Sequence, residues 1–156
     1  LADTDFRLFL DSGYKAEWAT RTHDKGVTSA TVLVNDKVTV LAQTLHAVPF
    51  RAFGVDQASE VARPVLDDMQ AKVLANKGHP RLLQGDFNLD AVSLDSLMPD
   101  LFEEGFNEVC HEIPTTPSGR IYDHILFIGA KSLDSIVAEE VLTDHYPIVS
   151  TFFLNS

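Results

Sequence analysis

The strongest constraint on the fold is a series of short runs rich in Val, Ile, Thr and Phe, each bounded by turn residues. Thr28 to Val34 and Lys37 to His46 are joined through Asn35-Asp36, which predicts a β-hairpin. Arg81 to Gln84 is short and apolar at its centre, which is typical of a buried strand. Further runs predict strands at Tyr14 to His23, Phe106 to Ile113, Ile121 to Ile128, Ser135 to Leu142 and Ile148 to Leu154.

Helical patterns are fewer. Val55 to Ala75 has apolar residues every four positions, which predicts an amphipathic helix. Pro64 lies inside this segment, so the helix either kinks there or restarts with Pro64 in its first turn. Ser93 to Glu103 predicts a shorter helix, and Asp5 to Ser12 predicts the end of another, before Gly13. The pattern is that of one α+β domain with helices packed outside a sheet-rich centre.

The composition limits the classes of function. The chain has 156 residues and 45% hydrophobic residues, enough for a single domain over residues 1–156 with its own core. A net charge of −11 argues against a broad basic face that grips nucleic acid. Cys110 is the only cysteine, which excludes an internal disulfide and a thiolate metal cluster. No apolar run reaches the ~18 residues needed to cross a bilayer.

Polar motifs follow several of these runs, where loops reach solvent. Gly85-Asp86-Phe87-Asn88 comes directly after Arg81 to Gln84. In an extended chain Asp86 and Asn88 point to one side and Phe87 points into the core. The carboxylate is suited to bind a metal ion or orient a water molecule, and the amide to donate to a phosphate oxygen. The alternative is an Asx turn in which Asp86 or Asn88 caps local amides.

Asp144-His145-Tyr146-Pro147 leads into the last predicted strand, and Pro147 favours an extended Tyr146. A carboxylate suits Mg²⁺, and the neighbouring imidazole can hold a proton near neutral pH. A surface turn with an adjacent histidine is the alternative.

Asp123 opens another strand. As a carboxylate partner of His46 or His145, it would fix the tautomer of that ring and raise its basicity; the alternative is a salt bridge to Arg120. A zinc site built from these two histidines and two aspartates is a further alternative, although no His-x-x-x-His pair on a helix supports it. The remaining histidines show no clustered spacing and are assigned to the surface or core: His23, His79, His111 and His124.

Taken together, His46, Gly85-Asp86-Phe87-Asn88, Tyr122-Asp123-His124 and Thr143 to Pro147 resemble the deoxyribonuclease I-like endonuclease/exonuclease/phosphatase superfamily. The resemblance covers nearly all of the chain from about Lys25 onward. Even Thr115-Thr116 is similar to a threonine-bearing loop of many members. The resemblance implies a four-layer α/β/β/α sandwich, with the site at one edge between two packed sheets.

The activity that the resemblance implies is divalent-metal-dependent hydrolysis of a phosphoester, in a nucleic acid or a small molecule. Mg²⁺ is the implied cofactor, with Mn²⁺ or Ca²⁺ as alternatives. By resemblance, Asp86 orients or deprotonates the attacking water and joins Asp144 in the metal and phosphate cluster. Asn88 contacts the scissile phosphate, and Arg51 and Arg120 are candidates for further substrate contacts.

By the same resemblance, His145 is the essential imidazole and Asp123 is the carboxylate paired with a catalytic histidine. His46 matches a second histidine that contacts or protonates the phosphate. Family members also carry an upstream Asn and a Glu that is the principal metal ligand, and Glu17 and Glu60 are in the wrong order to replace that Glu.

The chain is therefore expected to be the C-terminal portion of the fold, truncated at its N-terminal side. Its implied partner is the missing N-terminal segment of the same polypeptide, and alone it is expected to bind metal weakly and hydrolyse little. The alternative function is a non-catalytic remnant or binding module that retains the fold.

Overall fold

The computed structural model describes residues 2–9, 25–78, 80–91, 93–109, 112–138 and 143–154. The helices in these ranges are α1 (Arg63–Leu74), α2 (Pro99–Glu103) and a 3₁₀ turn (Phe50–Phe53). The strands are β1 (Ala2–Leu8), β2 (Gly26–Asn35), β3 (Val38–His46), β4 (Arg81–Asp86), β5 (Asn107–Glu108), β6 (Asp123–Ile128), β7 (Ala130–Val137) and β8 (Ile148–Leu154).

Six strands form one sheet in the order β1-β2-β3-β4-β6-β5. All neighbours are antiparallel except β3 and β4, which are parallel. Parallel strands need a crossover connection, and α1 lies in the segment that joins these two. The crossover places the ends of β3 and β4 at the same edge of the sheet.

One face of this sheet is covered by the helices. Leu45, Leu83 and Leu126 are at most 4% exposed and join the residues of α1 and α2 in one core cluster. The buried side of α1 carries Val65, Leu66, Met69 and Val73. Ion pairs on the outer side of α1 join residues four positions apart, which suits a helix with one solvated face.

The second sheet contains only β7 and β8 among the described residues. The Phe127 ring of β6 contacts the Phe152 ring of β8, with centroids 5.2 Å apart. The Tyr146 N–H, just before β8, donates to the Thr115 carbonyl at 2.7 Å. These contacts join the second sheet to the large one on the side opposite the helices.

The predicted hairpin and the strands at Arg81 to Gln84 and Ile148 to Leu154 are confirmed. Of the two alternatives for Pro64, the structure shows the restart, with this proline in the first turn of α1. Ser93 to Glu103 is helical only from Pro99 onward. The strand predicted from Ser135 begins earlier, at Ala130.

The prediction of a helix at Asp5 to Ser12 is wrong for its described part. Residues Ala2–Leu8 form β1, which pairs with β2 along its length. Phe6 and Leu8 therefore alternate with polar residues on a strand, and pairing with a neighbouring strand outweighs the local helical pattern. Other predictions lie outside the described residues, namely those on Gly13, Tyr14 to His23, Glu17, His79, Cys110 and His111.

Within the described ranges, no helix is long and apolar enough to span a membrane.

Candidate functional site

Three of the predicted site residues, His46, Asp86 and Asp123, lie side by side on neighbouring strands of the large sheet and form one row. His46, the last residue of β3, is the register partner of Asp86, the last residue of β4. Asp86 is in turn the register partner of Asp123, the first residue of β6. Register partners on neighbouring strands lie side by side with their side chains on the same face. A histidine and two carboxylates therefore meet at one sheet edge, on the face opposite the helices.

His145 reaches this row from the segment between β7 and β8. Its Nδ1 atom lies 2.6 Å from Asp123 Oδ2, and its Nε2 atom lies 3.9 Å from Asp86 Oδ2. Of the two histidines considered as partners for Asp123, the structure places His145 there. Arg120, the alternative partner, forms an ion pair with Asp90 instead.

Thr115 holds both members of the His145–Asp123 pair in place. Its hydroxyl oxygen accepts the Tyr122 and Asp123 N–H groups, at 3.0 and 3.2 Å. Its carbonyl accepts the N–H of Tyr146, the neighbour of His145. Thr115 is fully buried, so this one residue fixes the two chain segments relative to each other.

The Gly85-Asp86-Phe87-Asn88 motif forms the Asx turn that is one of the two alternatives drawn from the sequence. The extended chain predicted through Asn88 is wrong, because β4 ends at Asp86 and Asn88 has a left-handed φ. The Asn88 N–H donates to Asp86 Oδ1 at 2.8 Å, which is an Asx turn. The other oxygen, Asp86 Oδ2, remains turned to the site, 3.4 Å from His46 Nε2. Phe87 is fully buried, as predicted. Asn88 has a left-handed φ of 51°, and its side chain donates to the Ala47 carbonyl at 3.0 Å.

Lys25 is a member of the site that sequence reasoning missed. It immediately precedes Gly26, the register partner of His46, and its Nζ atom lies 2.5 Å from His46 Nε2. Lysine only donates, so His46 accepts through Nε2 and carries its own proton on Nδ1. Only the β2–β3 register reveals this contact, because nothing in the local sequence distinguishes Lys25 from a surface lysine.

The surroundings shift the two histidines in opposite directions. Burial lowers the pKa of His46, and the charge of Lys25 lowers it further. Burial also acts to lower the pKa of His145, but the hydrogen bond and charge of Asp123 outweigh it and raise this pKa. The site therefore holds two imidazoles whose pKa values are shifted apart. Such opposed pairs are typical of acid–base sites.

The other ionisable groups of the site are shifted mainly by burial. Burial raises the pKa of Asp86, and the Asn88 N–H bond partly offsets this rise. Burial lowers the pKa of Lys25, while the charge of Asp86 acts in the opposite direction.

A cleft of about 310 Å³ opens beside this cluster. Arg51 is exposed in its wall, and its guanidinium makes no hydrogen bond or ion pair to another residue of the described ranges. Arg120 is not free in this way, because Asp90 binds it. The lining residues are Arg51, Val55, Asp56, Gln57, Asn88, Asp90 and Tyr122. Arg63, outside this cleft, is paired with Asp67 in α1.

A buried hydrogen-bonded pair, His124 and Glu108, is a second feature that sequence reasoning missed. His124 Nδ1 lies 2.6 Å from Glu108 Oε1, and the two side chains are 2% and 3% exposed. His124 Nε2 faces the Leu89 carbonyl at 3.3 Å, and Glu108 Oε2 accepts the Leu94 N–H. The pair thereby holds the segment that follows Asn88 against β5 and β6.

The donors present do not complete a metal site. Within the residues that the structure describes, no group of three or more His, Cys, Asp or Glu side chains is arranged to hold a metal ion. Asp86 has one oxygen committed to its turn, and Asp123 is committed to His145. Asp144 is exposed. Neither the Mg²⁺ set nor the zinc alternative therefore fits these residues alone.

No protein-family model matches the sequence, and no curated protein matches it significantly. Solved structures do match. The endonuclease/exonuclease/phosphatase from Beutenbergia cavernae is 15% identical with a TM-score of 0.72, and the match covers 99% of this chain and 45% of that one. The chain has the deoxyribonuclease I-like fold of endonuclease/exonuclease/phosphatase proteins. The predicted fold class is thereby confirmed.

Two further structures share this endonuclease/exonuclease/phosphatase fold. The human Nocturnin catalytic domain with bound sulfate is 12% identical, with a TM-score of 0.61 and coverage of 99% of this chain and 59% of that one. The inositol polyphosphate 5-phosphatase domain of SpSynaptojanin, in complex with inositol (1,4)-bisphosphate and calcium, is 14% identical, with a TM-score of 0.57 and coverage of 96% and 54%. The chain thus spans about half the length of these three structures.

Proposed function

We propose that this chain carries the proton-transferring residues of a phosphoester hydrolase. That enzyme would be a phosphodiesterase (including a nuclease) or a phosphatase. The observation that carries the proposal is the convergence of His46, Asp86, Asp123 and His145 from four separate segments into one cluster. In this cluster an imidazole oriented by a carboxylate lies within 3.9 Å of a second carboxylate. Such a group can hold and release a proton beside a bound phosphoryl group.

The proposed roles follow from the hydrogen bonds. Asp123 holds His145 in the orientation that turns Nε2 toward Asp86, so His145 acts as the proton donor. Asp86 Oδ2 is the free carboxylate oxygen, suited to orient the attacking water. Asn88 lines the neighbouring cleft with Arg51, and these two residues would contact the phosphoryl group or the remainder of the substrate.

Two of the structural neighbours support a phosphoryl ligand. Nocturnin was solved with sulfate, an anion of the shape of phosphate, and the SpSynaptojanin domain with an inositol bisphosphate and calcium. Dependence on Mg²⁺, with Asp86 and Asp144 as ligands, stays a prediction. It requires ligands beyond those that the described residues bring together.

Hydrolysis of bis-p-nitrophenyl phosphate by this chain, in Mg²⁺ and in EDTA, tests the proposal. We expect slow turnover in Mg²⁺, because the metal donors are incomplete, and its loss in His145→Ala. Asp134→Ala, which removes an exposed carboxylate in β7, is the matched control and should leave the rate unchanged. Turnover that survives His145→Ala would refute the assigned role.

The incomplete set of metal donors favours a second candidate, a non-catalytic module that binds phosphorylated ligands with the same fold. Phosphate binding without any turnover, at protein concentrations high enough for a single-turnover measurement, would favour this candidate.

A further inference from the structure

The ammonium group of Lys25 lies beside the histidines and carboxylates of the site, and Lys25 itself immediately precedes β2. Its Nζ atom contacts His46 Nε2 at 2.5 Å, and Asp86 is the carboxylate that acts on it electrostatically. Lys25 is half-buried and belongs to no salt bridge among the described residues. Its ammonium group therefore makes no direct contact with a carboxylate of the described residues, and Asp86 acts on it only at longer range.

The hydrogen bonds of Lys25 leave room for a ligand. An ammonium group has three N–H donors, and His46 accepts one of them. Among the described residues, no acceptor other than His46 contacts the ammonium group. Phosphate oxygens are suitable acceptors, because lysine binds phosphate as a compact point charge.

We propose that Lys25 binds an oxygen of the phosphoryl group directly, and that this binding needs no divalent metal ion. The inference rests on the proposed function, since it assigns a ligand contact within the same site. Under this proposal the protein alone binds the phosphoryl group, whereas the predicted Mg²⁺ dependence concerns its hydrolysis.

The first test labels the lysine chemically. Pyridoxal 5′-phosphate carries a phosphate and an aldehyde, and the aldehyde forms an imine with a lysine amine, with loss of water, that borohydride reduces to a stable product. In EDTA we expect mass spectrometry to find Lys25 labelled, and inorganic phosphate to protect it. Lys37, exposed in the β2–β3 turn, is the internal control and should be labelled without protection.

The second test measures affinity for inorganic phosphate by calorimetry in EDTA. Lys25→Met should weaken binding by about tenfold or more, since it removes a charge-assisted hydrogen bond. Lys25→Arg should retain most of the affinity, and Lys37→Met all of it. If Lys25→Met does not fold, the labelling of the wild-type chain still decides.

Equal protection of Lys25 and Lys37, equal affinity in Lys25→Met, or phosphate binding only when Mg²⁺ is added would each overturn the inference. These outcomes leave the proposed hydrolysis untouched if the wild-type chain turns over bis-p-nitrophenyl phosphate. Conversely, Lys25-dependent phosphate binding without turnover would support the inference and count against the hydrolase.

Discussion

Replacing Gly85 by alanine tests the strand pairing that brings His46 and Asp86 together. Gly85 has a φ of +143°, which residues with a side chain rarely adopt. A Cβ atom at this position would lie 2.0 Å from the Leu45 carbonyl oxygen and 2.9 Å from the Leu45 nitrogen. Both are backbone atoms of the adjacent strand β3, so no side-chain rotation relieves the overlap. The structure thus shows a close approach of two strands at Gly85.

The magnitude follows from two separate costs. Holding alanine at an unfavourable positive φ costs about 1–3 kcal/mol. Forcing extra atoms into a filled space costs about another 1–3 kcal/mol. Gly85→Ala should therefore destabilise the fold by about 2–6 kcal/mol. Gly119 has a φ of +82°, but a Cβ atom added there would meet nothing within 4 Å, so Gly119→Ala should cost only the strain, about 1–2 kcal/mol.

Equilibrium unfolding in urea, followed by circular dichroism, measures both variants. A lower midpoint at unchanged denaturant dependence reports lost stability alone. We expect Gly85→Ala to lose clearly more free energy of unfolding than Gly119→Ala, and phosphoester turnover to fall with it. Equal losses in the two variants would refute the close approach of β3 and β4 at Leu45, and with it the row on which the site depends.

Two further predictions concern the histidines. Asp123→Asn should lower the pKa of His145, as followed by NMR titration of the imidazole; an unchanged titration would contradict the pairing. The pKa of His145 is raised in the folded state above its ordinary value of 6.5. Its contribution to stability is therefore complete below pH 6.5 and is lost as pH rises through the folded pKa. The difference in free energy of unfolding between wild type and Asp123→Asn should accordingly narrow as pH rises. Glu108→Ala should cost about 1–3 kcal/mol, since it leaves the buried His124 Nδ1 without its hydrogen-bond partner. A loss near zero in urea unfolding would show that this pair does not hold the segment after Asn88.

The sequence was most informative about strand ends. His46, Asp86 and Asp123 each stand where an apolar run begins or ends, and all three occupy the ends of observed strands. This works because apolar runs and turn residues are local signals, and because functional side chains collect where strands meet loops. The local pattern also predicted correctly that Phe87 would be buried between two polar neighbours.

The sequence could not supply the register between strands. Whether His46 lies beside Asp86, or one residue away on the opposite face, depends on pairing between segments about forty residues apart in the chain. For the same reason the sequence did not identify Lys25, because its contact with His46 depends on the β2–β3 register. This limit also produced the wrong helix at Asp5, where a strand partner outweighs the local pattern.

The same strand pairing stabilises the sheet and positions the site residues. Strand pairing fixes the backbones of His46, Asp86 and Asp123, and Thr115 fixes the segment that carries His145. Lys25 acts on His46 from one end of the row, and Asp123 acts on His145 from the other. Burial and the charge of Lys25 lower the pKa of His46, whereas Asp123 raises the pKa of His145. A one-residue slip between β3 and β4 would move His46 to the opposite face of the sheet and away from Asp86, which makes the pairing at Gly85 the decisive place to test the proposed function.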